Sequence, residues 1–312
     1  MKKILIVLFI IFIIPVKCFA KDINIAFCID NNYPIFALIA MYSILENNTS
    51  NSTYNFYIVE NNLSEKNKYK IEDFIKTKGQ NVSFIHINTD SIDNGENLYG
   101  RVNYRITRIA MARIKLPEIL PENIHRIIYL DADIIVTDDL LPLFEIDLEG
   151  KALGMVEDSE NLFPGYIEEY YNTGVLVMDI DIWRKENLPD QILTYFRDNR
   201  DFPFIVPDQD LVNIVLKDKI KPLSSKWNNQ TKPFFNKNPD ELKCIHHYFC
   251  EDKPWNFPKT NFITYKLYYE YWDKSPFKNY KYYYYLKYFN KIYNRNIGNI
   301  KADIANTINN LK

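Results

Sequence analysis

From residue 22 onward, short β-branched apolar runs alternate with longer stretches in which apolar residues recur every three or four positions. Residues 24–29 predict a strand that runs into the polar turn Asp30-Asn31-Asn32. A helix follows over residues 34–46, with Ile35, Leu38, Ile39, Tyr42 and Leu45 on one face. Residues 54–59 read as the next strand, and Ser64-Glu65-Lys66-Asn67 opens a second helix with an N-cap-like start. A third strand over 82–87, a helix over 103–120 through Arg113, and a strand over 126–136 complete the first half. This order predicts an α/β fold with a mostly parallel central sheet. In such sheets ligands bind at the carboxyl ends of the strands, the edge to which Asp30 and Asp131 belong. The second half is less regular: strands over 152–156, 171–178 and 243–248, and helices over 189–197 and from 207 onward. Gly174, inside one of these strands, permits a close backbone approach.

The strand over 126–136 carries the first candidate chemistry. Its rich Ile and Val content favours burial on both faces, yet Asp131 and Asp133 interrupt it at i, i+2 and so point the same way. Burying two like charges together costs on the order of several kcal/mol unless a cation sits between them. A divalent metal site at a strand end is one reading, and a strand running into an acidic turn is the other. Two carboxylates joined by an imidazole suit Mn²⁺ or Mg²⁺ better than zinc. Of His86, His125, His246 and His247, only the last pair lies beside other chemistry, just ahead of Lys253-Pro254-Trp255. Adjacent residues of a strand face opposite ways, so alternation does not choose between His246 and His247.

Composition and charge then narrow the class. With 312 residues, 47% hydrophobic and 25% charged, the chain is long and apolar enough for a full globular core. Residues 274–312 hold eight Lys and Arg against the single acid Asp303, which leaves the central part acidic. That asymmetry argues for a surface-anchoring tail and against a nucleic-acid partner. The tail interleaves its lysines with Tyr280, residues 282–285 (all Tyr), Tyr288, Phe289 and Tyr293. Such a pattern fits a membrane interface with anionic lipid, or a packed terminal helix with a solvated basic face. At the other end, Lys2-Lys3, an apolar run over 4–14 and Cys18-Phe19-Ala20 have the order of a secretory signal peptide or short anchor. Without that segment Cys28, Cys244 and Cys250 remain, neither a disulfide framework nor a zinc site. The expected organisation is therefore 1–20 leader, 21–272 α/β domain and 273–312 basic, Tyr-rich helical tail.

Four motifs occur in a fixed order: Tyr129-Leu130-Asp131-Ala132-Asp133, Asn172-Thr173-Gly174-Val175-Leu176, Asp208-Gln209-Asp210, and His247 six residues before Lys253-Pro254-Trp255. Together they resemble glycosyltransferase family 8, over about residues 22–258. The resemblance implies a GT-A type nucleotide-binding fold and retaining transfer of a hexose, glucose or galactose favoured, from a UDP-sugar with Mn²⁺ (or Mg²⁺). It implies Asp131, Asp133 and His247 as metal ligands and Lys253 as the lysine holding the donor diphosphate. Cys28, Asp30, Asn32 and Tyr33 match a uridine-binding segment, with Tyr33 stacking on uracil and Ala132 counted among the donor contacts. Arg113 resembles a donor-contacting arginine, and Asn172, Asp208 and Gln209 resemble residues around the sugar and its anomeric carbon. One departure stands out: Cys250 replaces the glycine usual three residues after the histidine.

On chemical grounds, a cation and Lys253 would stabilise the negative charge that grows on a diphosphate leaving group. Gln209 is a poor nucleophile, which favours same-face attack over double displacement. The expected acceptor is a saccharide or lipopolysaccharide-type glycolipid, and the expected location is membrane-associated, with the side of the membrane left open. The alternative is a catalytically silent relative that binds glycan or nucleotide as an accessory protein, motivated by Cys250 and the leader.

Overall fold

A computed structural model describes residues 21–89, 92, 108–159, 167–230, 244–249, 253–256, 262–290 and 293–294. The leader over 1–20, Cys250, the first residues of the predicted 103–120 helix and most of the chain beyond 290 lie outside the described residues. In chain order the elements begin with β1 (Asp22–Asp30), α1 (Pro34–Glu46), β2 (Thr53–Asn61), α2 (Glu65–Thr77) and β3 (Asn81–His86). A 3-10 turn at Arg108–Met111 leads into α3 (Ala112–Ile119), β4 (Arg126–Leu130), β5 (Ile134–Val136), α4 (Leu141–Phe144) and β6 (Leu153–Glu157). Then come β7 (Tyr171–Asp179), α5 (Ile180–Lys185), α6 (Leu188–Asp198), α7 (Pro207–Val215), β8 (Ile220–Pro222) and β9 (Asn229–Gln230). The order closes with β10 (Ile245–His247) and α8 (Phe262–Lys274), and helical backbone resumes over residues 278–290.

The main sheet has seven strands in the order β3-β2-β1-β4-β7-β6-β8. β3, β2, β1 and β4 run parallel, β7 is antiparallel to both its neighbours, and β8 pairs parallel with β6. The α/β fold with a mostly parallel sheet is as the sequence predicts. A second sheet, β5-β10-β9, stands apart from it.

The single strand expected over 126–136 is corrected to two. β4 ends at Leu130 on the main sheet, paired with Val175 of β7. β5 begins at Ile134 in the small sheet, paired antiparallel with His247. The three residues between them cross from one sheet to the other. The Asp131 N–H donates to the Gly174 carbonyl (2.8 Å), and the Asp133 carbonyl accepts from the Tyr248 N–H (2.9 Å). Both halves of the run are buried, but in different sheets, so the uninterrupted β-branched pattern hides the break.

A second correction concerns α1. Its residues from Pro34 to Ile44 are all buried, where a one-sided apolar stripe was expected. The sheet covers one side. Aromatic side chains cover the other: Phe36 stacks on Trp255 (centroids 3.7 Å apart) and lies 4.8 Å from the Tyr284 ring. A helix apolar all round belongs inside the core. The predicted N-cap at Ser64 is in place with extended backbone, but its side chain makes no capping hydrogen bond.

The connection that delivers β4 to the site is held by one side chain. Leu120 leaves helical conformation before Pro121, as a residue preceding proline tends to. Arg184 of α5 then spreads its guanidinium over the turn. Its Nε donates to Pro117 O, Nη1 to Glu122 O and Ile124 O, and Nη2 to Leu120 O and Pro121 O, at 2.8–3.0 Å. Pro117 belongs to the last turn of α3, whose carbonyls lack helical partners, and the other four carbonyls belong to its cap and the turn that follows. Replacing Arg184 with Ala should lower the unfolding free energy by about 1–3 kcal/mol, the scale of losing hydrogen bonds to a charged donor. Urea denaturation checks this, and an unchanged midpoint and slope would show that the turn is held by something else.

Candidate active site

The carboxyl ends of β1 and β4 meet the start of β7, the first turn of α7 and the end of β10 at one edge. Asp131, Asp133 and His247 each bring a donor atom to a common point, the three within 4.8 Å of one another. His247 Nε2 lies 3.3 Å from Asp133 Oδ1 and 3.8 Å from Asp131 Oδ2. Two carboxylate oxygens and an imidazole nitrogen form a donor set suited to a hard divalent cation. The other histidine of the pair points away: His246 Nε2 lies 3.2 Å from the Cys244 sulfur, as period-two alternation requires. Strand alternation alone left that choice open, and the pairing of β10 with β5 closes it.

Space for the imidazole comes from Gly174. A Cβ there would lie no farther than 2.9 Å from each of His247 Cε1, Nδ1 and Nε2. The Cε1 end of the ring packs against the bare backbone of β7. On its far side His247 Nδ1 bonds Asn228 Oδ1 (3.0 Å), and Asn228 Nδ2 donates to Asn172 Oδ1 (2.8 Å). Asn172 Nδ2 continues to Asp158 Oδ2 (3.0 Å) and Gln209 Oε1 (3.2 Å). Gln209 also takes the Thr173 N–H on Oε1 (3.2 Å) and gives Nε2 to Asp158 Oδ2 (2.9 Å). Asn172 and Gln209 are therefore tied together with both ends of each amide engaged.

Beside the donor set lies a buried charge cluster. Arg113 donates from Nη2 to Asp131 Oδ1 (3.0 Å), from Nη1 to the Thr173 carbonyl (2.6 Å), and lies 3.3 Å from Asp208 Oδ2 through Nε. Its guanidinium also sits over the Tyr129 ring (4.5 Å), whose hydroxyl donates to Asp131 Oδ1 (2.6 Å). Burial opposes the Arg113 charge, but Asp131, Tyr129 and Asp208 outweigh it and push the pKa up. Asp208 moves the other way for a carboxylate: burial raises its pKa, and Arg113 offsets only part of that rise. Asp208 Oδ1 is buried and has no hydrogen-bond partner among the described residues. Burial would also raise Asp133, yet Lys253 and His247 reverse it and hold that carboxyl below the usual range. Lys253 donates to Asp133 Oδ2 and to the Tyr248 carbonyl (3.0 Å). The lysine expected at a diphosphate thus shares a carboxylate with the candidate metal ligands.

The β1 edge completes the arrangement. Asp30 accepts the Asn32 N–H (2.8 Å) and side-chain amide (3.2 Å), which closes the turn ahead of α1. Tyr33 is half-buried, edge-on to Trp255 and Phe36 with centroids 6.0 and 6.1 Å away. Burial, then Asp133 and Asp30, push its hydroxyl up to about 12. Cys28 is half-buried, and burial raises its thiol despite the field of Arg113. Ala132 is buried between the two aspartates. All the sequence-predicted site residues thus gather at one edge. Sequence reasoning passed over Asn228 and Asp158, whose partners are remote in the chain, and gave Tyr129 and Thr173 no role of their own within their motifs.

The chain belongs to glycosyl transferase family 8, whose family model matches residues 24–258. Among curated relatives, it is 27% identical to general stress protein A of Bacillus subtilis (strain 168), covering 75% of this chain and 87% of that protein. It is 24% identical to lipopolysaccharide 1,2-glucosyltransferase of Escherichia coli (strain K12), covering 83% and 80% respectively. Among solved structures it resembles an active-site mutant of LgtC with a TM-score of 0.68 at 22% identity, over 79% of this chain and 94% of that one. The galactosyltransferase LgtC in complex with donor and acceptor sugar analogues gives 0.64 at 24% identity, over 75% and 89%. The fold is thus of the GT-A type.

The contact between Gly174 and His247 is open to a direct check. Gly174→Ala should destabilise the fold by about 1–3 kcal/mol, as overpacking does, while the same change in a His247→Ala background should cost far less. Denaturant titration of the four proteins measures the coupling, and equal costs in both backgrounds would show that the ring is not what the glycine accommodates.

Proposed function

We propose that this family member is a divalent-metal-dependent, retaining hexosyltransferase. It would move glucose or galactose from a UDP-sugar to a saccharide or lipopolysaccharide-type acceptor. The observation that carries the reading is the donor set of Asp131, Asp133 and His247, with Lys253 bonded to one of its carboxylates. A buried carboxylate, a part-buried one and an imidazole fit Mn²⁺ or Mg²⁺, and no cysteine enters the set. Support for the acceptor comes from the relative that is a lipopolysaccharide 1,2-glucosyltransferase. Support for a sugar donor and acceptor comes from the LgtC complex with analogues of both.

A divalent cation bound here would supply charge neutralisation to a departing diphosphate. The residues of the chain have their own tasks. Lys253 provides a second positive charge toward the leaving group, worth most as its negative charge develops. Arg113 keeps Asp131 and Asp208 oriented and ionically paired. The unpartnered Asp208 Oδ1 is an acceptor suited to a hydroxyl of the donor sugar, since a buried carboxylate oxygen is costly to leave unbonded. Gln209 and Asn172, locked to Asp158 and Thr173, form a rigid polar wall for the anomeric centre. Tyr33, Asp30, Asn32, Cys28 and Ala132 would receive the nucleotide at the β1 edge, with Tyr33 against the uracil. In the reaction the bond from the anomeric carbon to the diphosphate breaks, with its electron pair leaving on the phosphate oxygen. The acceptor oxygen bonds the same carbon on the same face, and its proton goes to the departing diphosphate.

The reading extends to a membrane surface. The helix over 278–290 turns Tyr280 and Tyr284 onto the core while Tyr282, Tyr283, Tyr285, Leu286 and Phe289 are exposed beside Lys281 and Lys287. Exposed rings among cations favour the interface of an anionic bilayer. Among the described residues no helix is long and apolar enough to cross a membrane.

UDP-hexose hydrolysis with and without Mn²⁺, screened over UDP-glucose and UDP-galactose, tests the core of the proposal. His247→Ala should abolish most Mn²⁺-dependent turnover, whereas His246→Ala should cost at most about 10–100-fold. The reverse pattern, or turnover indifferent to metal, would refute the assignment.

Lys253→Ala should lower turnover by about 10²–10³ while Mn²⁺ affinity stays close to wild type. Normal turnover in a folded Lys253→Ala protein would rule out its action on the leaving group.

A further inference from the structure

Hydrogen-bond direction can be followed through the buried amides without ambiguity. It starts at the Gly174 backbone N–H, which can only donate, and which bonds Asn172 Oδ1 at 2.9 Å. The oxygen end of Asn172 therefore faces Gly174, and its amide nitrogen faces Asp158 and Gln209. The same Asn172 oxygen lies 2.8 Å from the side chain of Asn228, so Asn228 must present its NH₂ there. That turns the Asn228 oxygen toward His247 Nδ1, 3.0 Å away. An amide oxygen accepts only, so Nδ1 must carry the proton. In a neutral imidazole the lone pair is then on Nε2, the atom that faces Asp131 and Asp133. Asn228 is 1% exposed and Asn172 4%, so water does not replace these bonds.

We propose that Asn228 is a positioning residue that sets the His247 tautomer and so presents Nε2 as a cation ligand. It also ties that ligand to the Asn172–Gln209 wall on which the donor sugar would rest. The inference rests on the metal-site reading given above and adds to it a residue outside every motif of the family pattern used here. A ligating imidazole commonly depends on a partner at its other nitrogen, whose removal costs about 10–100-fold in metal affinity.

Two variants separate the hydrogen bond from simple packing. Asn228→Leu keeps the volume and removes both bonds. Asn228→Asp keeps an acceptor for Nδ1–H and loses the donor to Asn172. The full chain, ¹⁵N-labelled at histidine, reports the His247 tautomer by two-dimensional NMR, with His247→Ala identifying the signals. Calorimetry with Mn²⁺ alone reports affinity. Wild type should show a protonated Nδ1 and a bare Nε2. Asn228→Leu should lose that preference and bind Mn²⁺ about 10–100-fold more weakly. Asn228→Asp should keep the tautomer and recover most of the affinity.

Three results would overturn the role. A wild-type protein with the proton on Nε2 refutes it whatever the variants do. An Asn228→Leu protein with unchanged tautomer and affinity refutes it as well. Equal losses in Asn228→Leu and Asn228→Asp, with Nδ1 still protonated in the latter, would reduce Asn228 to a packing residue. Wild type that does not bind Mn²⁺ at all would refute the metal site itself, and the tautomer would then stand as a separate finding.

Discussion

Gly174 holds the two halves of the site together by what its backbone offers and by what its side chain lacks. Its carbonyl accepts the Asp131 N–H as the chain leaves the main sheet, and its N–H sets the direction of the amides that reach His247. Its missing Cβ is the space into which the imidazole packs. One residue of β7 thereby fixes the separation between a carboxylate on one sheet and a histidine on another. A side chain at this point would push the imidazole off the strand and part the donor set. Close backbone approach, more than any turn geometry, explains a glycine in the middle of a buried strand.

Around that point the structure must manage a concentration of buried negative charge. Asp131, Asp133 and Asp208 converge, with Arg113 and Lys253 paired against them and the His247 ring beside two of them. Arg113 suits its place because a planar guanidinium can serve two carboxylates and a carbonyl at once and stack on a ring. The arrangement leaves one carboxylate oxygen of Asp208 without a partner and turns the Nε2 lone pair of His247 toward two others. A fold does not ordinarily bury such groups unless a ligand completes them. The same features that weaken the site as a structural element are those expected of a binding site.

On one side the site rests on closely packed core. α1 is buried all round between sheet and aromatic C-terminal helices, so the β1 edge with Asp30 and Tyr33 rests on a packed base. Trp255, two residues after Lys253, stacks on Phe36 of that helix. The lysine is therefore anchored to the core on the same rings that support the β1 edge. The terminal helix contributes Tyr284 to this packing and exposes Tyr282, Tyr283, Tyr285 and Phe289.

Much of this was legible along the chain. Alternating periods of two and about 3.6 residues locate the strands and helices of the α/β fold, because burial on a pleat and burial on a helix leave different local records. Paired acids in an apolar run and a glycine in a buried strand marked the chemistry because each violates the composition of an ordinary core, whereas the choice of His247 came from the family resemblance. What stayed hidden depends on contacts between distant segments. The division of residues 126–136 between two sheets is invisible because both halves are equally apolar. The full burial of α1 follows from a C-terminal covering more than 200 residues away. Asn228 reads as a polar residue in a turn until β9 and β10 bring it to His247, 19 positions later. The sequence by itself determined which residue types are buried and with what period. Only the tertiary structure decided which donor faces which acceptor, because hydrogen-bond direction is set by partners that meet after the sheets are assembled.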